Sequence, residues 1–133
     1  MTTIFADTAY YLALANARDG LHDRAVAFLS GFSDRIVTTD YVLLEVANSH
    51  RRSAFRQAFL DLLETIRSDP DTEIVPAGPD LFQAGLDLFA DRPDKDWSLT
   101  DCLSFVVMTD RGLTDAVTAD HHFEQAGFRI LLK

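Results

Sequence analysis

Five short apolar runs alternate with longer amphipathic stretches along the chain. The runs have the length and composition of buried strands and cover residues 3–6, 35–38, 72–75, 116–119 and 128–132. The stretches between them repeat apolar residues at helical spacing. They predict a first helix that contains 9–15 and ends near Asp19-Gly20, further helices at 22–32, 41–48, 53–68, 79–91 and 99–111, and a short turn at 121–126. Strands that alternate with helices in this way predict an α/β fold with a central, mainly parallel sheet covered on both faces.

Two helices in the middle of the chain carry wide apolar faces. The face of helix 53–68 is formed by Phe55, Phe59, Leu62, Leu63 and Ile66. On helix 79–91 the residues predicted to face inward are Leu81, Phe82, Gly85, Leu88 and Phe89. Apolar faces of this width are typical of helices that pack against a core.

The segment 96–108 has two interpretations. Its second half is an apolar helical face formed by Leu99, Cys102, Leu103, Val106 and Val107. Ahead of that face, Ser98 and Asp101 match a capping box, with Ser98 as the N-cap and Asp101 as the third helical residue. A carboxylate in the first turn is also favoured by the helix dipole. Asp101 is therefore either a cap or a metal-binding carboxylate, and this segment alone does not decide between them.

Length and composition indicate one ordinary globular domain, residues 1–133. Hydrophobic residues make up 47% of the chain and charged residues 25%, a balance that argues against disorder. No apolar run approaches the ~18 residues of a membrane span, and the N-terminus lacks the basic region of a signal peptide. With Cys102 as the single cysteine, a disulfide framework is excluded. We expect a cytoplasmic protein with no membrane contact.

The net charge of −9 argues against a simple nucleic-acid-binding surface. Proteins that bind phosphates mainly through Lys and Arg usually have a basic footprint, whereas this chain has 21 acidic residues and 12 basic ones. Three explanations stay open: nucleic acid is not a ligand, divalent cations neutralise a carboxylate cluster before phosphate binds, or the acidic surface meets a basic partner.

Five acidic residues are predicted to converge at one edge of the sheet. Asp7 and Asp120 each end an apolar strand, and Asp96 and Asp101 lie at the start of a helix. Glu45 lies early in the helix after the second strand, among apolar neighbours. In open α/β sheets, ligands bind outside the carboxyl ends of the strands. Converging carboxylates repel one another unless cations bind between them, and hard oxygen ligands suit Mg²⁺ or Mn²⁺.

Each of these acids also has a simpler interpretation. The aspartates can be helix-start acids, and Glu45 can be a solvated side chain. His121 and His122 follow Asp120 directly and are within reach of the predicted site. For this pair we favour a capping or surface role over a role in the site.

Four sequence blocks together resemble one known family. They are FADT at 5–8, TDYVLLE at 39–45, DWSLTDC at 96–102 and TADHHF at 118–123, the last followed by Gly127-Phe128. In content and order they closely resemble the PIN-domain nucleases, in particular the VapC-type toxins of bacterial toxin–antitoxin pairs. The resemblance spans nearly the whole chain, and its most specific parts are SLTD and TADHHF.

This resemblance implies a metal site and a set of site residues. The acidic quartet holding Mg²⁺ or Mn²⁺ would be Asp7, Glu45, Asp101 and Asp120. Of these, Asp7 and Asp101 would be the direct ligands. The residues that orient the ligands would be Thr8, Asp96 and Ser98. The family also implies a three-layer α/β/α sandwich, endonuclease cleavage of single-stranded RNA, a homodimer, and inhibition by a small antitoxin protein.

The resemblance leaves two surface roles open. The antitoxin groove of such proteins is lined by helices early in the chain, which here include the helix of Phe55 and Phe59, although plain core packing explains that face equally well. Because lysines are few, RNA contact would depend on arginines such as Arg51, Arg52 and Arg56, which can equally form an exposed helix face.

Two other functions compete with the nuclease. A receiver-like phosphoacceptor domain is also acidic and α/β, but it requires paired acids at the first strand end and a lysine after a late strand, and Asp7 stands alone. A non-catalytic acidic module that binds a basic protein fits the net charge. Dependence on a divalent metal separates this module from the nuclease.

Overall fold

In the computed structural model, which describes residues 2–133, five strands form one sheet that is flanked by helices. The strands are β1 (Thr3–Ala6), β2 (Arg35–Thr39), β3 (Thr72–Val75), β4 (Asp115–Val117) and β5 (Arg129–Ile130). The helices are α1 (Thr8–Ala15), α2 (His22–Gly31), α3 (Asp40–Ser49), α4 (Ser53–Ser68), α5 (Pro79–Asp91), α6 (Leu99–Asp110) and α7 (His121–Gln125). The predicted three-layer α/β/α sandwich is confirmed.

The sheet order places β1 at the centre. The order is β3-β2-β1-β4-β5 and every pair is parallel. The chain moves outward from β1 through β2 to β3, then crosses back to β4 on the other side of β1. The order therefore reverses between β1 and β4, and the carboxyl ends of these two strands flank the crevice where open α/β sheets bind ligands. A receiver-like domain has the strand order 2-1-3-4-5, so the structure excludes that alternative.

The last two strands are shorter than the sequence predicts. β4 ends at Val117 and β5 contains two residues. Gly127, at φ +96°, turns the chain into β5, a backbone conformation that favours glycine. Beyond β5, the amides of Leu131 and Leu132 still donate to the carbonyls of Ala116 and Thr118, at 3.0 and 3.1 Å. Pairing thus continues past the regular strand and fixes the C-terminal end of the chain on β4.

A cluster of aromatic rings fixes α6 and α7 against the sheet. The ring of Phe105 on α6 meets Phe123 on α7 edge-on, with centroids 4.9 Å apart, and meets Trp97 in the same way at 5.0 Å. Phe123 is fully buried and also faces Phe5 on β1, at 6.3 Å. Aromatic contacts of this geometry add to the free energy of simple burial. They hold the start of α6 close to the end of β4.

Helices α5 and α6 pack closely at Gly85. A Cβ atom at Gly85 would lie 2.4 Å from Cδ2 of Leu103 on α6. Both residues are buried, so Leu103 occupies the space that any larger side chain on α5 would need. This close contact fixes the position of α6 from the side opposite its aromatic contacts with α7.

Several apolar side chains predicted to face the core are exposed instead. Phe82 and Phe89 on α5 are 41% and 48% exposed, because α5 packs through Leu81, Gly85 and Leu88 and the positions one residue later rotate outward. On α4 the fully buried member of the predicted face is Ile66, whereas Phe55 is 50% exposed. Core packing therefore explains only part of these apolar faces. Within residues 2–133, no helix has the length and apolar character needed to cross a membrane.

Candidate metal and nuclease centre

Asp7 follows the central strand and points into the crevice beside β4. Ala6 pairs with Val117, so the residues that follow them, Asp7 and Thr118, are neighbours across the ladder. The hydroxyl of Thr118 donates to Oδ2 of Asp7 at 2.9 Å, and both side chains are buried. The same hydroxyl accepts from the backbone N–H of Asp120 at 3.1 Å. Thr118 therefore links the two aspartates at the ends of β1 and β4.

Burial raises the pKa of Asp7 to about 7 from its ordinary value of 3.8. The hydrogen bonds from Thr118 and from the backbone of Thr8 act against this shift, and the charges of Asp101 and Asp120 add to it. A carboxyl group with this pKa is about half protonated at neutral pH. A cation bound beside it would reverse the shift by stabilising the carboxylate.

Glu45 approaches the same place from α3. Thr8 directly follows Asp7, and its hydroxyl donates to Oε1 of Glu45 at 2.6 Å. Glu45 is half-buried although Leu44 beside it is 59% exposed. Thr8 thus holds the Glu45 carboxylate toward the end of β1.

Asp101 lies in the first turn of α6 and forms the predicted capping box. Its N–H donates to Oγ of Ser98 at 3.0 Å, and its Oδ2 accepts from the Ser98 N–H at 3.1 Å. Burial raises the pKa of Asp101, and the charge of Asp120 raises it further. The cap interpretation is confirmed, and it holds the carboxylate in one place beside the other acids.

Asp120 caps the short helix α7 and brings His122 into the cluster. Oδ1 of Asp120 accepts from the N–H of His122 at 2.9 Å. Nδ1 of His122 lies 3.1 Å from Oδ1 of Asp120 and 3.4 Å from Oδ2 of Asp101. His121 is exposed, with its Nδ1 3.8 Å from Asp120. His121 therefore lies at the surface, whereas His122 is partly buried beside two of the acids.

The structure thus links Asp7 to Asp120 through Thr118, places His122 beside both Asp101 and Asp120, and bonds Glu45 to Thr8 next to Asp7. Asp96 lies apart from this group: it is exposed and lines a separate cavity with Arg92, Lys95 and Trp97. Arg51, Arg52 and Arg56 are exposed at the junction of α3 and α4. Arg56 donates from Nε to the Arg51 carbonyl at 2.7 Å, which fixes the local shape of that junction.

Thr118 contacts two of the predicted site acids although the sequence analysis assigns it no role, and His122, which the sequence places within reach of the site, lies beside two acids. Thr118 lies two residues before Asp120 and His122 two residues after it, so both flank a recognised acid. Thr118 could have been proposed from its position at the end of a predicted strand, because a polar side chain there lies at the same carboxyl edge of the sheet as Asp7. No local pattern distinguishes His122 from His121.

Comparison with known families supplies the deciding observation. A family model of the PIN domain matches residues 4–129. The chain belongs to the PIN-domain family. The match covers nearly the whole sequence, and the resemblance read from the four sequence blocks is confirmed.

This PIN domain is similar to VapC20 of Mycobacterium tuberculosis. The two chains are 29% identical over 126 residues, which cover 94% of this chain and 95% of the relative, a 23S rRNA-specific endonuclease. The crystal structure of VapC20, a Sarcin-Ricin loop cleaving toxin, matches with a TM-score of 0.85 at 26% identity over 94% of this chain and 95% of that one. VapBC2 from Rickettsia felis, bound to a DNA fragment, shares the fold with a TM-score of 0.68 at 14% identity, covering 97% of both chains.

The donor set of this PIN domain fits a divalent cation. All four acids offer carboxylate oxygens, and within residues 2–133 no Lys or Arg forms an ion pair with any of them. Buried or half-buried carboxylates without a basic partner are unfavourable unless a cation binds. Oxygen donors of this kind match the preference of small divalent ions.

Proposed function

We propose that the protein is a divalent-metal-dependent endoribonuclease that hydrolyses RNA phosphodiester bonds and acts as the toxin of a toxin–antitoxin pair. The observation that carries the proposal is the buried Asp7 carboxyl. It lies near Asp101 and Asp120 at the point where the strand order reverses, and within residues 2–133 it has no basic partner. The cation would be Mg²⁺ or Mn²⁺, and its ligands would come from Asp7, Asp101, Asp120 and Glu45.

Each residue has a distinct task in this proposal. When bound, the cation would activate a water molecule and neutralise charge that develops on the phosphate. Asp7 and Asp101 hold it directly, each fixed by its own hydrogen bonds from Thr118 and Ser98. Thr8 keeps the Glu45 carboxylate directed toward the same place. Asp96 is exposed and its side chain makes no hydrogen bond within residues 2–133, so its proposed orienting role rests on the resemblance to the family.

The substrate class follows from the similar protein. VapC20 is a 23S rRNA-specific endonuclease, and the similarity extends over 94% of this chain. We therefore propose ribosomal RNA as the substrate, cleaved in the cytoplasm, and a stem-loop of 23S rRNA is the first RNA to test.

We further propose that a small antitoxin binds the groove where α1, α3 and α4 meet. The groove is lined by Leu12, Ala15, His50 and Phe55, and the half-exposed ring of Phe55 offers it an apolar contact. Arg18 lines the same groove and has no acidic partner within residues 2–133. An antitoxin segment with apolar and acidic residues would complement these groups.

A homodimer is the proposed assembly. Leu44 on α3 and Phe82 and Phe89 on α5 are between 41% and 59% exposed. Large apolar side chains at the surface of a soluble domain are typical of protein interfaces. Sedimentation of the purified protein, with Phe82→Ser as the interface variant, tests this assembly.

The nuclease proposal is tested with purified protein and a radiolabelled 23S rRNA stem-loop. We expect cleavage with Mn²⁺ or Mg²⁺, none with chelator, and at least a hundredfold slower cleavage by Asp7→Asn and Asp101→Asn. The matched control is Asp110→Asn, because Asp110 is an exposed acid at the other end of α6. The proposal would be refuted if cleavage continued in the presence of chelator, or if the Asp7 and Asp110 variants cleaved equally fast.

The toxin role is a separate claim with its own test. Expression of the wild-type protein in a bacterial host should arrest growth, and expression of Asp101→Asn should not. If both cultures grow equally, the toxin claim fails while the nuclease claim remains.

The net charge of −9 favours one alternative, an acidic module that binds a basic protein without catalysis. Binding of such a partner would be independent of divalent metal. The chelator arm of the cleavage experiment therefore separates the two functions.

A further inference from the structure

His122 stands between two of the acids proposed to bind metal. Its Nδ1 atom faces Oδ1 of Asp120 at 3.1 Å and Oδ2 of Asp101 at 3.4 Å. The side chain is 23% exposed, so the ring is partly shielded by its surroundings. A neutral imidazole nitrogen is one of the commonest metal ligands in proteins.

Each of the two distances from Nδ1 of His122 matches the spacing of neighbouring ligand atoms around a six-coordinate ion. With metal–ligand bonds of 2.0–2.1 Å, adjacent ligand atoms lie about 3.0 Å apart. The two measured distances are within a few tenths of an ångström of that value. Nδ1 of His122 can therefore share an ion with either carboxylate after small rotations of the side chains.

The ring is held in place by the elements around it. The His122 backbone N–H is bonded to Asp120, and the next residue, Phe123, is fully buried against Phe105. His121 differs in both respects, because its side chain is 69% exposed and its Nδ1 atom is 3.8 Å from Asp120. A nitrogen donor fixed in this way is organised for binding before the ion arrives.

Resting on the metal site of the proposed function, we propose that His122 is a nitrogen ligand at that site and gives it a preference for Mn²⁺ over Mg²⁺. Mg²⁺ favours oxygen ligands and retains several waters, whereas imidazole nitrogen is a better donor to transition-metal ions. An all-carboxylate site would lack this source of discrimination. In this proposal His122 determines which of the two ions the site binds more tightly.

The test measures metal binding rather than activity. Mn²⁺ and Mg²⁺ are titrated calorimetrically into the wild type, His122→Gln and the control His121→Gln, and the Mn²⁺-loaded proteins are examined by pulsed electron paramagnetic resonance for coupling to ¹⁴N. We expect His122→Gln to bind Mn²⁺ about tenfold more weakly, to bind Mg²⁺ with nearly unchanged affinity, and to lose the directly coupled nitrogen. His121→Gln should behave as the wild type.

A second measurement does not depend on a variant that folds. Wild-type protein made with ¹⁵N-histidine should replace the directly coupled ¹⁴N signal by a ¹⁵N signal. The assignment would be overturned by any of three results. These are an unchanged Mn²⁺ affinity in His122→Gln, a larger loss of Mn²⁺ affinity in His121→Gln than in His122→Gln, and no histidine coupling in the labelled wild type. If the wild type binds neither ion, the proposed metal-dependent function itself fails, and that result is distinct from binding without a nitrogen ligand.

Discussion

At the scale of single residues, burial of Asp7 favours its neutral form, whereas the proposed metal binding requires its ionised form. Its carboxyl is buried at the end of the central strand, and burial raises its pKa to about 7. In an unfolded chain the same group has a pKa of 3.8. Between these two values the folded protein holds a proton that the unfolded chain releases.

This difference makes the stability of the metal-free protein depend on pH. Because the folded state binds more protons between pH 3.8 and about 7, stability falls as the pH rises through that range, and the full loss is present above it. We expect Asp7→Asn to stabilise the metal-free protein above pH 7 by roughly 1–4 kcal/mol, and the gain to shrink as the pH falls toward 4. Thermal unfolding in chelator at several pH values measures this.

Asp110→Asn is the control for that experiment, because it removes an exposed acid elsewhere. Its effect on the unfolding temperature should be small and nearly independent of pH. A stabilisation by Asp7→Asn that is the same at pH 4 and pH 8 would contradict the assigned cause.

Thr118 is the second residue with a testable role. Its hydroxyl donates to Asp7 and accepts from the Asp120 N–H. Thr118→Val keeps the shape but removes both hydrogen bonds, so the pKa of Asp7 should rise further and the carboxylate should bind metal less readily. We expect at least tenfold weaker Mn²⁺ binding at pH 7, measured by calorimetry.

Thr118→Ser restores the hydroxyl and is the matched control for this variant. It should recover most of the Mn²⁺ affinity. Equal affinities in the Val and Ser variants would show that the hydroxyl does not support the site.

The acids could be predicted from sequence at this scale, but their partners could not. Asp7 and Asp120 follow apolar strands, a position that one sequence can reveal. The bond between Thr118 and Asp7 depends on which strand lies beside β1, and these residues are 111 positions apart. The position of His122 depends on how α7 packs on α6, which no local pattern encodes.

At the scale of helices and strands, the close contact between α5 and α6 leaves no free space for a side chain at position 85. A methyl group there would overlap Leu103, which is 2% exposed and has little room to move. Overpacking of a core costs about 1–3 kcal/mol, which exceeds the gain in helix propensity from replacing glycine. We expect Gly85→Ala to lower the free energy of unfolding by that amount in urea denaturation.

Two further variants make that experiment specific. Gly31→Ala changes a helical glycine with nothing within 4 Å of the added atom, so it should be neutral or slightly stabilising. Gly85→Ala combined with Leu103→Ala should cost less than the sum of the two single changes. Strict additivity would refute the overlap as the cause.

Element boundaries were mostly predictable because local signals agree with the packing. The capping box at Ser98 and the apolar period after it start α6 at Leu99, as expected. The exposure of Phe82 and Phe89 was not predictable, since an apolar period defines a face but not how much of it a neighbour covers. The predicted strand 128–132 is regular only at Arg129–Ile130, although its hydrogen bonds to the β4 side continue through Leu131 and Leu132. The sequence pattern shows that the segment is buried but not where regular strand geometry ends.

At the scale of the whole molecule, the acidic charge requires an explanation for RNA binding. Four of the twelve basic residues are paired with acids, at Arg92, Arg111, Arg129 and Lys133. The other eight are outnumbered by the 21 acidic residues, so a cation at the proposed site would add to phosphate binding.

We therefore expect Mn²⁺ to strengthen RNA binding even when no cleavage occurs. A stem-loop in which a methylene group replaces each 3′-bridging oxygen of the loop phosphates, so that water cannot displace the leaving group, is measured by fluorescence anisotropy at fixed ionic strength. It should bind at least tenfold more tightly with Mn²⁺ than with chelator. An Mn²⁺-independent dissociation constant would assign phosphate recognition to the arginines alone, and Arg51→Ala with Arg56→Ala would then reduce it.

The pairing of β1 with β4 also has a consequence for the time at which the protein becomes active. Asp7 is made early in synthesis, whereas Thr118 follows 111 residues later. At translation rates of about 5–20 residues per second, roughly 6–20 s separate them. Until Thr118 has been synthesised, the nascent chain lacks the hydroxyl that bonds to Asp7 and to the Asp120 N–H, so the site is incomplete during that interval.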